Sequence, residues 1–182
     1  MCGRYLVKRK TIQKIADSLG LPFDDEFQEG EYNPGSYSFM IGSGPSVVQA
    51  KWGYTNPYGP RPIINARSET ASTKPLFHDD FLSNRCVVPA DIYYEWTTDK
   101  KKVGFYLNDR SFLMGALFKR TDNGNEMVIL TKEASDDIKH IHPRSPVIIP
   151  YKNLSAWLSD KNAAAKIIQL QNPIFQNDLE IY

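Results

Sequence analysis

The sequence is short of cysteine and histidine, has no long apolar run and carries almost no net charge, and each shortage excludes something. Among 182 residues there are two cysteines, Cys2 and Cys86, too few for a disulfide framework or a four-cysteine zinc site. The three histidines, His78, His140 and His142, come without placed carboxylates, so neither a metal nor a cofactor is expected. No stretch approaches the roughly 20 apolar residues that span a bilayer, and the first residues are polar where a signal peptide is apolar. The chain is therefore expected to have no membrane partner and to work in a reducing cytoplasm, with the nucleoid if bacterial. Lysine and arginine number 22 against 21 acids, a net +1, which excludes binding of nucleic acid by bulk charge but not by a local patch. There is no internal repeat, heptad run or low-complexity stretch.

What is present is apolar and aromatic side chain, 41% and 12% of residues, enough for a sizeable core. The length suits one domain over 1–182, with motifs over 2–157 and a helix and tail over 158–182. Charge is uneven locally: residues 1–14 hold Arg4, Lys8, Arg9, Lys10 and Lys14 without an acid, and residues 20–31 hold Asp24, Asp25, Glu26, Glu29 and Glu31 without a base. The spacing of Ile12, Ile15, Ala16 and Leu19 predicts a helix capped by Thr11 and ended by Gly20 and Pro22. Residues 31–67 read as long loops around a strand at 47–52, and 75–83 as a short helix. Strands are expected at 85–89, 92–96, 103–107, 111–119 and 126–131, then a helix at 136–141 capped by Ser135, a strand at 146–150, and helices at 151–158 and 160–170. Many strands without βαβ alternation indicate an α+β domain, an antiparallel or barrel-like sheet with peripheral helices.

Five segments carry candidate chemistry. Methionine before a small residue is normally trimmed, which leaves Cys2 first, with an α-amine of pKa about 8 beside a thiol of pKa about 8.5. Such a 1,2-aminothiol condenses with an aldehyde to an imine and closes to a thiazolidine; its thiolate alone is a nucleophile for acyl transfer. The other reading of Cys2 is a chance cysteine on a frayed terminus, and Cys86 reads as a buried strand thiol. In Asp91-Ile92-Tyr93-Tyr94-Glu95-Trp96, alternation puts Glu95 with Asp91 and Tyr93, and a carboxyl set among aromatics is expected to have a raised pKa. It reads equally as a surface glutamate ending a strand. In Ile141-His142-Pro143-Arg144-Ser145-Pro146, prolines pin His142 for proton transfer, and Arg144 suits a phosphate; a turn histidine and an exposed arginine fit as well. In Ile64-Asn65-Ala66-Arg67-Ser68-Glu69, alternation puts Asn65, Arg67 and Glu69 in one polar row, for a sugar or amine and a phosphate, or on an exposed edge strand. Trp52-Gly53-Tyr54 and Tyr58 read as base-stacking aromatics or as core.

Taken together and in order, these segments resemble the SOS response-associated peptidase (SRAP) family of abasic-site processing proteins. The matching residues include Met1-Cys2-Gly3-Arg4-Tyr5, Tyr32-Asn33-Pro34, Trp52-Gly53, Asn65-Ala66-Arg67-Ser68-Glu69, Arg85-Cys86-Val87-Val88-Pro89-Ala90-Asp91, Tyr94-Glu95-Trp96, Gly115-Ala116-Leu117, Thr131-Lys132-Glu133-Ala134 and Ile141-His142-Pro143-Arg144. The resemblance implies a monomeric domain with a positive groove for single-stranded DNA or single–double-strand junctions containing abasic sites. It implies capture of the ring-opened abasic aldehyde by Cys2 as a stable thiazolidine crosslink, protecting the lesion during repair. Asn65 would orient the amine and sugar, Glu95 would shuttle the proton that opens the sugar, and His142 would assist opening and β-elimination. Arg4, Asn33, Arg67 and Arg144 would hold the strand, and the Trp52 loop would splay or stack bases. The family also implies two rival activities, a thiol autopeptidase with His142 as base and an abasic-site lyase; a third alternative is a noncatalytic single-strand binder. The chain departs from the family at Ser145 (usually Met), at Tyr58 (often Trp), at Gly104 (often Pro) and in a shortened segment over 34–36.

Overall fold

The computed structural model describes residues 2–22, 27–42, 46–108 and 110–180, with the backbone alone at Ser46, Leu179 and Glu180. Met1, Asp24, Asp25 and Glu26 lie outside the described residues. The chain runs through β1 (Arg4–Val7), α1 (Arg9–Ser18), β2 (Gly30–Tyr32), β3 (Tyr37–Gly42), β4 (Ser46–Trp52) and β5 (Asn65–Arg67). There follow α2 (Ser68–Ala71), α3 (Pro75–Ser83), β6 (Arg85–Ala90), β7 (Ile92–Trp96), β8 (Lys102–Tyr106), β9 (Phe112–Thr121) and β10 (Gly124–Glu133). The last part holds α4 (Asp136–Lys139), β11 (Arg144–Pro146), a 3-10 turn (Tyr151–Asn153), α5 (Leu154–Ser159), α6 (Lys161–Ile167) and β12 (Gln176–Glu180).

Strands β10, β4, β3, β6 and β9 pair in that order and β9 returns to β10, closing a five-stranded barrel. β5 and β11 attach to β10 outside this ring, and β4 and β5 run parallel to it. A second sheet, β12-β8-β7-β1-β2, is antiparallel throughout. Alternation divides single strands between two cores: Cys86, Val88, Met114, Ala116, Met127 and Ile129 join a cluster with Cys2, Tyr5, Trp52 and Tyr93. Their neighbours Val87, Leu117, Val128 and Leu130 join another with Phe77, Phe81, Trp157 and Ile167 of the helices. Burial on both faces makes these strands continuous apolar runs in the sequence.

The α+β barrel-like architecture is the expected one. Two strands, β2 and β3, stand where long loops were expected, because β3 is buried on nearly every residue and shows no alternation. The polar strand β12 was also unforeseen, and the strand expected at 146–150 is β11, shifted towards Arg144. Thr11 lies inside α1, whose N-cap is Lys8. Asp91 does the capping from across the sheet, accepting from the Lys8 backbone N–H and the Thr11 hydroxyl, both at 2.7 Å. Gly20, at φ 63°, ends α1 in a Schellman turn, with Leu21 N–H donating to Ala16 O (2.9 Å) and Gly20 N–H to Asp17 O (3.1 Å).

Arg85 is buried and bonded to four carbonyls. Its Nη1 donates to Phe81 O (2.6 Å) and Leu82 O (2.7 Å), its Nε to Trp157 O (2.6 Å) and its Nη2 to Leu158 O (3.4 Å). These lie in the last turns of α3 and α5, so one guanidinium satisfies and neutralises two helix C-termini at once.

Candidate active site

Cys2 enters the core just ahead of β1, and β1 pairs with β7 in the register Arg4↔Tyr94, Tyr5↔Tyr93. That pairing brings the start of the chain beside Glu95. Cys2 is fully buried; burial is the main cause that pushes its thiol pKa well up, and the Glu95 carboxylate adds to it. Glu95 is itself 2% exposed, and its pKa is raised to about 7 by desolvation, against the pull of the chain's terminal positive charge. The expected raised pKa among aromatics is thus found, with Tyr93 next to it on β7 inside the core.

His142 comes in from the segment before β11, its Nδ1 at 3.7 Å from Glu95 Oε1. The Arg144 backbone N–H and carbonyl both lie 3.1 Å from this Nδ1, so the Arg144 backbone holds the ring in place whichever nitrogen carries the proton. Burial holds the imidazole pKa below its ordinary value, so near pH 7 a neutral histidine faces a carboxyl poised between its two states. Asn65, at the start of β5, donates from Nδ2 to the Cys2 carbonyl at 3.0 Å. Its Oδ1 is buried and accepts no hydrogen bond from a described residue. Cys2, Asn65, Glu95 and His142, from four separate segments, are therefore brought together at one point where β1, β5, β7 and the approach to β11 meet.

The expected strand-binding residues are placed less uniformly. Arg4 Nη1 pairs with Glu31 Oε2 at 3.1 Å and its guanidinium lies over the Trp96 ring at 5.6 Å. Glu31 also takes Lys102 Nζ at 2.6 Å, so the acidic segment folds back and neutralises part of the basic one. Arg144 is clamped: Nη1 and Nη2 donate to the two Glu69 carboxylate oxygens at 2.6 and 2.8 Å, and Nη2 also to Thr131 O at 2.6 Å. This fork holds the Glu69 pKa down to about 2. Glu69 does not continue the polar row expected with Asn65 and Arg67, because the strand ends at Arg67 and Glu69 sits in α2. Arg67 and Asn33 are exposed.

Trp52 corrects an expectation. It is a core residue, 0% exposed, with its indole N–H donating to Ile64 O at 3.0 Å and its ring against Tyr5. It is not available to stack on bases. The exposed aromatic of that loop is Tyr58, 87% accessible, in a turn fixed by its own N–H on Asn56 Oδ1 (2.9 Å) and by Asn56 Nδ2 on Arg61 O (2.9 Å). The loop leaves β4 through Gly53 at φ 129°, where a Cβ would come within 2.8 Å of Pro62. Two departures from the family have plain structural roles: the Ser145 hydroxyl accepts from Asn172 Nδ2 (3.2 Å), and a Cβ at Gly104 would press on Tyr94 and Ile92 at 3.2 Å. No cluster of metal-ligating side chains occurs among the described residues, and no described helix is long and apolar enough to cross a membrane.

The chain is similar to two curated proteins of Bacillus subtilis (strain 168), the abasic site processing proteins YoaM and YoqW. Each is 31% identical over 208 residues, covering 100% of this chain and 90% and 91% of the relative. The abasic site processing protein YedK of Escherichia coli (strain K12) is 27% identical over 177 residues, 87% of this chain and 79% of its own. Crystal structures of proteins from Bacteroides thetaiotaomicron and Bordetella bronchiseptica share the fold, each with a TM-score of 0.82, at 22% and 20% identity. They cover 98% and 100% of this chain, and 91% and 100% of theirs. The model of the family described as SOS response associated peptidase (SRAP) matches residues 1–182, and the chain belongs to that family.

Proposed function

We propose that this protein processes abasic sites in DNA by covalent capture: the aminothiol of Cys2, once Met1 is removed, condenses with the ring-opened aldehyde to a thiazolidine. The observation that carries the reading is the convergence of Cys2, Asn65, Glu95 and His142, with a carboxyl of pKa about 7 beside a neutral imidazole. The names of the relatives support the substrate.

The order of events follows from the protonation states. Burial keeps the thiol protonated, so the α-amine attacks first. An abasic sugar is mostly a closed hemiacetal, and opening it takes a proton off the hydroxyl and delivers one to the ring oxygen. Glu95 at pKa about 7 does both in turn, with His142 as relay. Amine and aldehyde then lose one water to form the imine. The thiol adds across the C=N bond, its proton passing to nitrogen, with no further loss. Both attacking atoms belong to one residue, so ring closure is intramolecular. Asn65, tied to the Cys2 carbonyl, aims the amine, and its free Oδ1 accepts from the amine or a sugar hydroxyl. Arg4, Asn33, Arg67 and Arg144 hold flanking phosphates of a single strand, Arg144 by exchanging Glu69 for phosphate, and Tyr58 stacks on a base. No second copy of the chain is needed.

The test is incubation with a single-stranded oligonucleotide bearing one abasic site, followed on a denaturing gel. The wild type is expected to give a shifted band and Cys2→Ala none; equal yields from both would end the proposal.

A further inference from the structure

At the far end of β1 and β7 from Cys2 lies a groove of about 1230 Å³ that none of the chemistry above uses. Its floor is apolar, including Phe112 and Ile148, and its rim carries Lys8, Lys10, Lys14 and Lys152. Lys10 and Lys14 stand one turn apart on α1 and so share a face. All four lysines are exposed, and none forms an ion pair with a described residue. Asp91 is the one acid among the described lining residues, and its oxygens accept from Lys8 N–H and Thr11 Oγ1. With Arg110, the described lining holds five cations against one carboxylate, a concentration of positive charge in a chain of net charge +1. Tyr151 forms part of the wall, 47% exposed, with its hydroxyl fixed on Ser111 Oγ at 2.9 Å.

We infer that this groove binds the flank of a single DNA strand whose abasic site lies at Cys2. The inference rests on the covalent-capture reading for the identity of the strand. Lysine is depleted in protein–protein interfaces and common on phosphates, which favours nucleic acid over an acidic protein segment. A cationic rim beside an exposed ring is the arrangement that tracks a single strand without reading its sequence. From Cys2 to Lys8 the chain rises at most about 20 Å, so a strand reaches the groove only with several nucleotides on one side of the lesion.

The experiment compares the wild type with Lys10→Gln/Lys14→Gln/Lys152→Gln, all exposed positions. Non-covalent binding of an unmodified 20-nucleotide single strand is measured across salt concentrations. Crosslinking is measured with a trinucleotide whose middle position is the abasic site, too short to reach the groove. The triple variant is expected to bind the 20-mer at least tenfold more weakly at low salt, with a log–log salt slope shallower by about 2, and to crosslink the trinucleotide at the wild-type rate. An unchanged slope would overturn the inference and leave an acidic protein segment as the occupant. If the wild type forms no crosslink while the slope difference persists, the capture chemistry fails and the groove stands.

Discussion

Arg85 and Glu95 are both ionisable, and each is 2% exposed, yet burial has opposite consequences for them. Arg85 keeps its charge against desolvation because four backbone carbonyls of two helix ends accept from it. Glu95 sits next to a thiol, an imidazole and aromatic rings, and desolvation lifts its proton equilibrium to about neutral pH. A buried charge whose hydrogen bonds are satisfied by backbone fixes structure. One balanced between two protonation states is suited to moving a proton.

The comparison breaks most visibly in stability. Arg85→Met leaves the carbonyls of α3 and α5 without donors, and urea unfolding is expected to show a loss of about 4 kcal/mol. The folded fraction, however, should crosslink abasic DNA at the parental rate. Glu95→Gln should do the reverse, slowing crosslinking at least a hundredfold, about 3 kcal/mol of barrier, in single-turnover assays. The pH dependence of stability sharpens this. The Glu95 pKa rises from 4.5 to about 7 on folding, so its stabilisation is full below pH 4.5 and is lost as pH rises through 7. The loss is roughly 3 kcal/mol at pH 8, and Glu95→Gln should remove it, making the variant more stable than the parent at pH 8 and equal to it at pH 4.5. The smallest effect belongs to the exposed clamp: Glu69→Gln should cost under about 1 kcal/mol of stability. It should also strengthen abasic-strand binding a few-fold by releasing Arg144, which a fluorescence-anisotropy titration would detect.

The two residues also differ in how much the sequence disclosed. Glu95 could be singled out because it is an acid set among aromatics in a short strand, and the limits of β7, Ile92–Trp96, are those expected. Arg85 gave no such sign, since its partners Phe81 and Trp157 belong to helices that meet only in the tertiary packing. The Glu69–Arg144 fork, 75 residues apart in sequence, forms because β5 and β11 both attach to β10, a pairing no local pattern reveals. The base-stacking role that the resemblance implies for Trp52 fails for a similar reason. It ends β4 inside the core, but in sequence it opens a Gly/Pro-rich loop, and composition there suggests exposure. Motif order drew Cys2, Asn65, Glu95 and His142 into one expectation; their distances came from the folding of four separate segments.

The central claim is that Cys2, as the first residue, forms the bond to DNA. Intact-mass measurement of the protein incubated with an abasic single strand tests it directly. The predicted mass is that of the chain beginning at Cys2 plus the oligonucleotide minus one water, and Cys2→Ala gives no adduct. An adduct that retains Met1, or an equal adduct on Cys2→Ala, would contradict the account.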